Sequence, residues 1–497
     1  MPHSYQEVTP AQRQFGKIAL LVVVLTLIGN VVVFAYLRPY GILRELSPLA
    51  EAREHIHNRY VGEVEDQDLI DAALRGMADA LGDENTQYFS AEQLSAFNEH
   101  VGGSFTGIGA YVGEQDGYLL IINPFDDSPA MKAGLLPGDL ILEIDGEDIY
   151  GLSLDKEVVP RLKGEAGTTV KVRVRHPDGE EADLTITRAQ IVVPSVVGYR
   201  RNPGDGYHYM LDPEQKIAYI RLTQFGDSSL KEVQETLKKL KAQGMKALIF
   251  DLRNNGGGLL DGAAGISDLF LAGGKTIVST KGKGTATESL ISTNDTLLPN
   301  LPLVILINEN SASASEIVAG AMLDNNRALL VGSRSFGKGS VQQLLPLSDG
   351  TSAIKLTTAY WYLPSGKMIH RKADATEWGV DPSPGNYLPV DPESMREMLI
   401  KRREVEVDDP FARLDGQVTP QWLREQLLDE PMAAGLEAAQ QMLESDGWPK
   451  VGIDRKAALA EPSERERLEH RREELNELLK QVDEEIEQLP AESEPSP

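Results

Sequence analysis

Three short apolar runs constrain this chain most: KALIFDL ending at Leu252, LVILIN from Leu303 to Asn308, and ALLVG ending at Gly332. Each reads as a buried strand. Pro302 marks where the second can begin. Helical patterns lie between them: SSLKEVQETLKKLKAQG, stopped by Gly244, and ASEIVAGAML. IAYIRL precedes them as a further strand. Such alternation from Lys216 to about Tyr387 predicts βαβ units and a largely parallel sheet. Active sites of open α/β sheets sit beyond the carboxyl ends of the strands. Three loops lie there: DLRNNGGGLL from Asp251, NENSASASEIVAGAM from Asn308 and SRSFGKGSVQQ from Ser333. They are candidates to meet at one place.

Each loop offers chemistry and has a plainer reading. Gly256 to Gly258 could present backbone N–H groups to an oxyanion, or form a simple turn. The GK[ST] ending of a phosphate loop is missing. Ser311, Ser313 and Ser315 stand at a strand-to-helix junction, where the helix dipole favours an alkoxide. Ser313 with Glu316 also reads as a helix capping box. Lys338, between two glycines, could be exposed. Buried, it would lose its proton more easily and serve as the base of a serine–lysine pair. Gln342, four residues on, would share a face with Lys338 on one helical turn. His370 is the rival base.

The rest of the chain sorts by pattern. Ile18 to Leu37 is an uncharged run of 20 residues. At about 1.5 Å per residue it spans a bilayer core of about 30 Å. It reads as a signal anchor (18–37) behind a short cytoplasmic N-terminus (1–17), with the larger folded part outside the cytoplasm. Residues 46–100 are helical in pattern. His55 and His57 there point to different faces and read as incidental. Residues 101–191 carry short strands, GIGAYV, GYLLIINP, DLILEIDG, TVKVRVRH and ADLTITRA, with one helix candidate, SPAMKAGL. The alternating core takes 192–391, a charged helical extension 392–489 and a disordered tail 490–497. Leu468, Leu475, Val482 and Leu489 recur every seven residues, as a coiled coil or a surface helix. The whole is an α/β multidomain chain. Its net charge of −27 argues against nucleic acid as a partner. The absence of cysteine excludes thiol nucleophiles, zinc–thiolate sites and disulfides.

From about Leu46 to Asp391 the chain resembles the carboxy-terminal processing (tail-specific) proteases. The resemblance rests on YVGEVEDQDLIDAALRGMADALGDENTQYF, GSFTGIGAYV, SPAMKAGLLPGDLILEIDGEDI, IAYIRLTQFGD, DLRNNGGGLL, SASASEIVAGAM, SFGKGSVQ and TTAYWYLPSGKMIH, in that order. It implies a ClpP/crotonase-like protease core and a PDZ-like domain. It implies Ser313 as nucleophile, Lys338 as base and Gln342 as support for the lysine. The oxyanion would be held by the N–H of Ala314 and one from Gly257 or Gly258. Gly107, Ile108 and Gly109 would bind a peptide's terminal carboxylate, with the SPAMKAGLLPGD helix lining the groove. Lys163 stands where many relatives carry an arginine thought to help switch the enzyme on. No metal or cofactor is implied. The expected function is a serine-type endopeptidase, anchored in the inner membrane on the periplasmic side, acting on proteins with accessible apolar C-termini. A homodimer through the terminal helices is a further expectation. A PDZ scaffold with an inactive core is the alternative.

Overall fold

The computed structural model describes residues 45–455, except 126, 203–205, 285, 373–374, 404, 406–417 and 446. The apolar run 18–37 and the leucine repeat from Leu468 to Leu489 lie outside the described residues. Among those residues no helix is long and apolar enough to cross a membrane. They form two units: residues up to Ser90 with Leu344–Leu356, and the remainder.

In the first unit, helix 45–59 is followed by helix Asp66–Asp79. Arg53 pairs with Asp66 across the turn between them. Strand Gln87–Phe89 then runs antiparallel to residues 353–355, and the buried Tyr88 hydroxyl donates to Asp71 at 2.9 Å. His55 and His57 face Glu51 and Asp66 respectively, each at 3.5 Å. No group of residues among those described could hold a metal ion.

In the second unit, the strand-rich segment forms an antiparallel sheet. Its order is Ala110–Gln115, Tyr118–Pro124, Leu140–Ile144, Thr169–Arg175 and Glu181–Thr187. TVKVRVR shows why: Val170, Val172 and Val174 point inward and the residues between them point outward. Ile121, Ile141, Ile144 and Ile186 complete that core. Helix Pro129–Ala133 starts where its sequence directs. Ser128 caps it through the Met131 N–H at 3.1 Å, Pro129 occupies the first turn, and Gly134 ends it at φ 96°.

The alternating segment forms the parallel sheet predicted from the apolar runs. Its central order is Ile217–Leu222, Ala247–Asp251, Leu303–Ile307 and Leu329–Gly332. The two middle strands are buried along their whole length. One face is covered by helices Ser229–Ala242, Leu260–Asp268 and Ala314–Asp324, through Val233, Leu237, Ile266, Ile317 and Val318. The other face is covered by the C-terminal extension. Met432, Leu436 and Ala439 of helix Glu430–Ser445, with Leu423 and Leu427, pack on Tyr219, Ile249, Val304 and Leu306. The extension read from sequence as charged helix thus contains one of the two layers that bury the sheet. A parallel sheet needs both faces covered.

Candidate active site

Ser313 follows strand Leu303–Ile307 and caps helix Ala314–Asp324. Its backbone lies at φ 54°, ψ −114°, which an L-residue rarely adopts. Such a residue stores about 1–3 kcal/mol of strain, held only because its surroundings fix it. Those surroundings are explicit. Ser311 Oγ donates to Leu252 O at 2.8 Å, and Ser315 Oγ donates to Asn255 O at 2.9 Å. The two flanking serines are therefore fully buried structural ties to the glycine loop. Of the three serines, Ser313 is the one set on the strained turn.

Glu316 joins the serine loop to the lysine loop. Its Oε2 accepts the N–H of Ser313 and the N–H of Lys338, each at 2.8 Å. Its Oε1 accepts Ser335 Oγ and the N–H of Gly337, each at 2.6 Å. One carboxylate oxygen shared by two amides places the main chains of Ser313 and Lys338 side by side. The two loops also meet directly, Phe336 N–H donating to Ser311 O at 3.0 Å. Glu316 is fully buried, and burial pushes its carboxyl up to about 7 against the hydrogen bonds that favour its charge. In the sequence Glu316 reads only as half of a capping box. The signal available was that it is the single charge between Asn310 and Asp324.

The glycine loop lies against the serine. A Cβ on Gly257 would stand 2.7 Å from Ser313 Cβ and 2.9 Å from the Ala314 nitrogen. The Gly257 N–H is already used inside the loop, donating to Asn255 Oδ1 at 2.9 Å. Of the two glycines named from the sequence, Gly258 is the one that does not spend its amide this way. Gly257→Ala should lower kcat on the order of 10²-fold, because the methyl must displace the serine turn. Steady-state kinetics checks this, and a variant within twofold of wild type would exclude the close packing.

Gln342 departs from its expected setting. It lies on strand Ser340–Pro346, not on a helical turn with Lys338. A strand rises about 3.3 Å per residue, so a spacing of four there is not one helical turn. Its Nε2 donates to Ser340 Oγ at 2.9 Å and Thr357 Oγ1 at 3.3 Å. His370 packs beside Gly339, its ring 5.0 Å from that of Tyr360.

In the strand-rich domain, the Ile108 and Gly109 carbonyls accept the N–H groups of Ala130 and Phe125 at 2.8 and 3.0 Å. Planar trans peptides then aim the Gly109 and Ala110 N–H groups the opposite way. Strand Ala110–Gln115, which follows, is an edge of its sheet. The helix expected to line this groove, Pro129–Ala133, packs on strand Glu181–Thr187 and joins the Ile108 core through Ala130. Segment 154–162 also shares a core with Ile108, Ala110 and Val112, through Leu154, Val158, Val159 and Leu162. Its successor Lys163 pairs with Glu99 at 2.8 Å. Both partners are over a third exposed, so the pair is weak.

Comparison with known proteins agrees with this architecture. The description "Peptidase family S41" matches residues 216–383, and "PDZ domain" matches 125–176. The carboxy-terminal processing protease CtpA of Bacillus subtilis (strain 168) is 36% identical over 324 residues, 65% of this chain and 66% of that protein. The carboxy-terminal-processing protease of Bartonella bacilliformis is 37% identical over 335 residues, 66% of this chain and 73% of that protein. Among solved structures, a photosystem II D1 C-terminal processing protease is 27% identical, covering 73% of this chain and 97% of its own, with a TM-score of 0.40. The chain belongs to the carboxy-terminal processing proteases, serine peptidases of family S41 with a PDZ domain.

Proposed function

We propose that this chain is a membrane-anchored endopeptidase that captures the C-terminus of a protein through its PDZ domain and cleaves it with Ser313 and Lys338. The observation that carries the reading is Glu316, which holds the amides of both residues on one oxygen. Ser313 attacks the scissile carbonyl. Lys338 takes its proton and passes it to the leaving amine, and water then releases the acyl-enzyme. The N–H groups of Ala314 and Gly258 stabilise the oxyanion. The substrate's terminal carboxylate meets the loop Gly107–Ile108–Gly109, and its last residues add as a strand to the free edge of Ala110–Gln115. Carboxylate binding moves the PDZ domain so that serine, lysine and oxyanion donors align, with Gln342 supporting the lysine. The apolar run 18–37 holds the enzyme at the inner membrane with the protease on the periplasmic side.

The test is cleavage of a protein ending in an unstructured apolar tail. Lys338→Ala should abolish it, and amidating the substrate's terminal carboxylate should raise KM tenfold or more. If Lys338→Ala cleaves normally while His370→Ala is dead, the base is wrong. If every variant and the wild type fail on all such substrates, the scaffold reading stands.

A further inference from the structure

The glycine loop is tied on one side to the serine loop. On the other it runs back into Arg253, whose guanidinium is fully buried and bonded at every nitrogen. Arg253 Nε donates to Asp251 Oδ1 at 2.9 Å, and Nη2 donates to Asp251 Oδ2 at 2.6 Å. Nη1 and Nη2 donate to the two oxygens of Asp429 at 2.7 and 2.9 Å. Asp429 comes from the C-terminal extension, 176 positions away. It also accepts Arg402 Nη2 at 2.6 Å, and its Oδ1 accepts the Met432 N–H at 2.9 Å, at the start of helix Glu430–Ser445. Tyr219 OH donates to Asp251 Oδ2 at 2.7 Å. Two arginines and two aspartates thus form a closed, electrically balanced group, each member at most 5% exposed.

A guanidinium held bidentately from both sides has its plane fixed. That constraint passes along the chain at once. Asn254, next to Arg253, is held at φ 58°, and its own amide donates to Asn308 Oδ1 at 2.9 Å. Asn255 accepts the Ala312 N–H at 3.0 Å and orients Gly257. Within DLRNNGGG, Asp251 holds one edge of the guanidinium. The carboxylate of Asp429, from the distant extension, holds the other.

We infer that Asp429 of the C-terminal extension is a positioning residue for the reaction, acting through Arg253 to place the glycine loop against Ser313. The extension is therefore part of the catalytic apparatus as well as a cover for the sheet. This rests on the Ser313–Lys338 reading above. It does not require that reading's PDZ or membrane steps.

The test separates positioning from folding. Asp429→Asn alone leaves an uncompensated buried charge and should lower Tm together with activity. The double variant Asp429→Asn with Arg402→Met keeps the group balanced as one Asp251–Arg253 pair. It should regain most of the lost Tm, yet show kcat lowered on the order of 10-fold or more, within the range that a misplaced oxyanion donor costs, with KM within about twofold. Arg253→Lys, which keeps the charge and loses the fork, should show the same split. All are assayed in the full-length protein well below each variant's Tm, beside wild type and Ser313→Ala. A folded double variant or Arg253→Lys variant with wild-type kcat would overturn the inference. So would a kcat that recovers in step with Tm, since that marks a structural role only. If Ser313→Ala cleaves as wild type does, the protease assignment fails instead.

Discussion

Ser313→Ala should abolish peptide-bond cleavage, a loss on the order of 10⁶-fold in kcat, with the fold intact. The residue sits at φ 54°, ψ −114° on the turn into helix Ala314–Asp324, and its side chain carries none of the buried ties made by Ser311 and Ser315. Removing the hydroxyl therefore costs little structure. Ser313→Gly should be equally inactive but more stable, by about 1 kcal/mol, because glycine adopts this backbone without strain. Thermal unfolding beside a cleavage assay measures both. A Gly variant less stable than the Ala variant would show that the turn is unstrained. Stability rising as activity vanishes is the expected mark of a nucleophile that the fold holds under strain.

Glu316→Ala should lose activity nearly as completely, and it should also destabilise the protein by about 3 kcal/mol or more. It strips the acceptor from three buried amides and the Ser335 hydroxyl, each costing about 1–3 kcal/mol if left unsatisfied. It also frees the amides of Ser313 and Lys338 to drift apart. Glu316→Gln keeps the shape but turns an NH₂ toward donors, so kcat should still fall on the order of 10–100-fold.

The pH dependence distinguishes this role from a plain helix cap. Burial pushes the Glu316 carboxyl from its usual 4.5 up to about 7 in the folded protein. Between those values the folded state holds a proton that the unfolded chain has released. Glu316's contribution to stability is therefore full below about pH 4.5 and is lost as pH rises through about 7. Activity runs the other way. Only the carboxylate accepts all four hydrogen bonds, so kcat should fall as pH drops below about 7. That acid limb should disappear in Glu316→Gln. An identical limb in the variant would assign it to a group other than Glu316.

The parts of this site differ in how far they could be read before folding. KALIFDL, LVILIN and ALLVG announced a buried parallel sheet, and their downstream loops announced where chemistry would gather. TVKVRVR announced which valines face inward, and SPAMKAG announced a short helix with both its ends. These are legible because period, capping and turn chemistry act over a few residues. Even Ser313 and Lys338 could be singled out once the loops were set in order and the family pattern applied. Gln342 shows where local reading fails. A spacing of four from Lys338 reads as one helical turn, but the chain runs as a strand from Ser340 to Pro346.

The sequence by itself determined which segments are strands and helices, which faces they bury, and which loops end up at the carboxyl edge of the sheet. Tertiary structure alone decided what Glu316, Arg253, Asp429 and Arg402 are for. A charge in a sequence is solvated by default, and its meaning changes only when closure of the fold removes water from it. Burial then makes an unpaired charge so costly that its partner, 22 or 176 positions away, becomes obligatory. No local pattern encodes that partner, because the requirement does not exist until the sheet, its two helical layers and the three loops have come together.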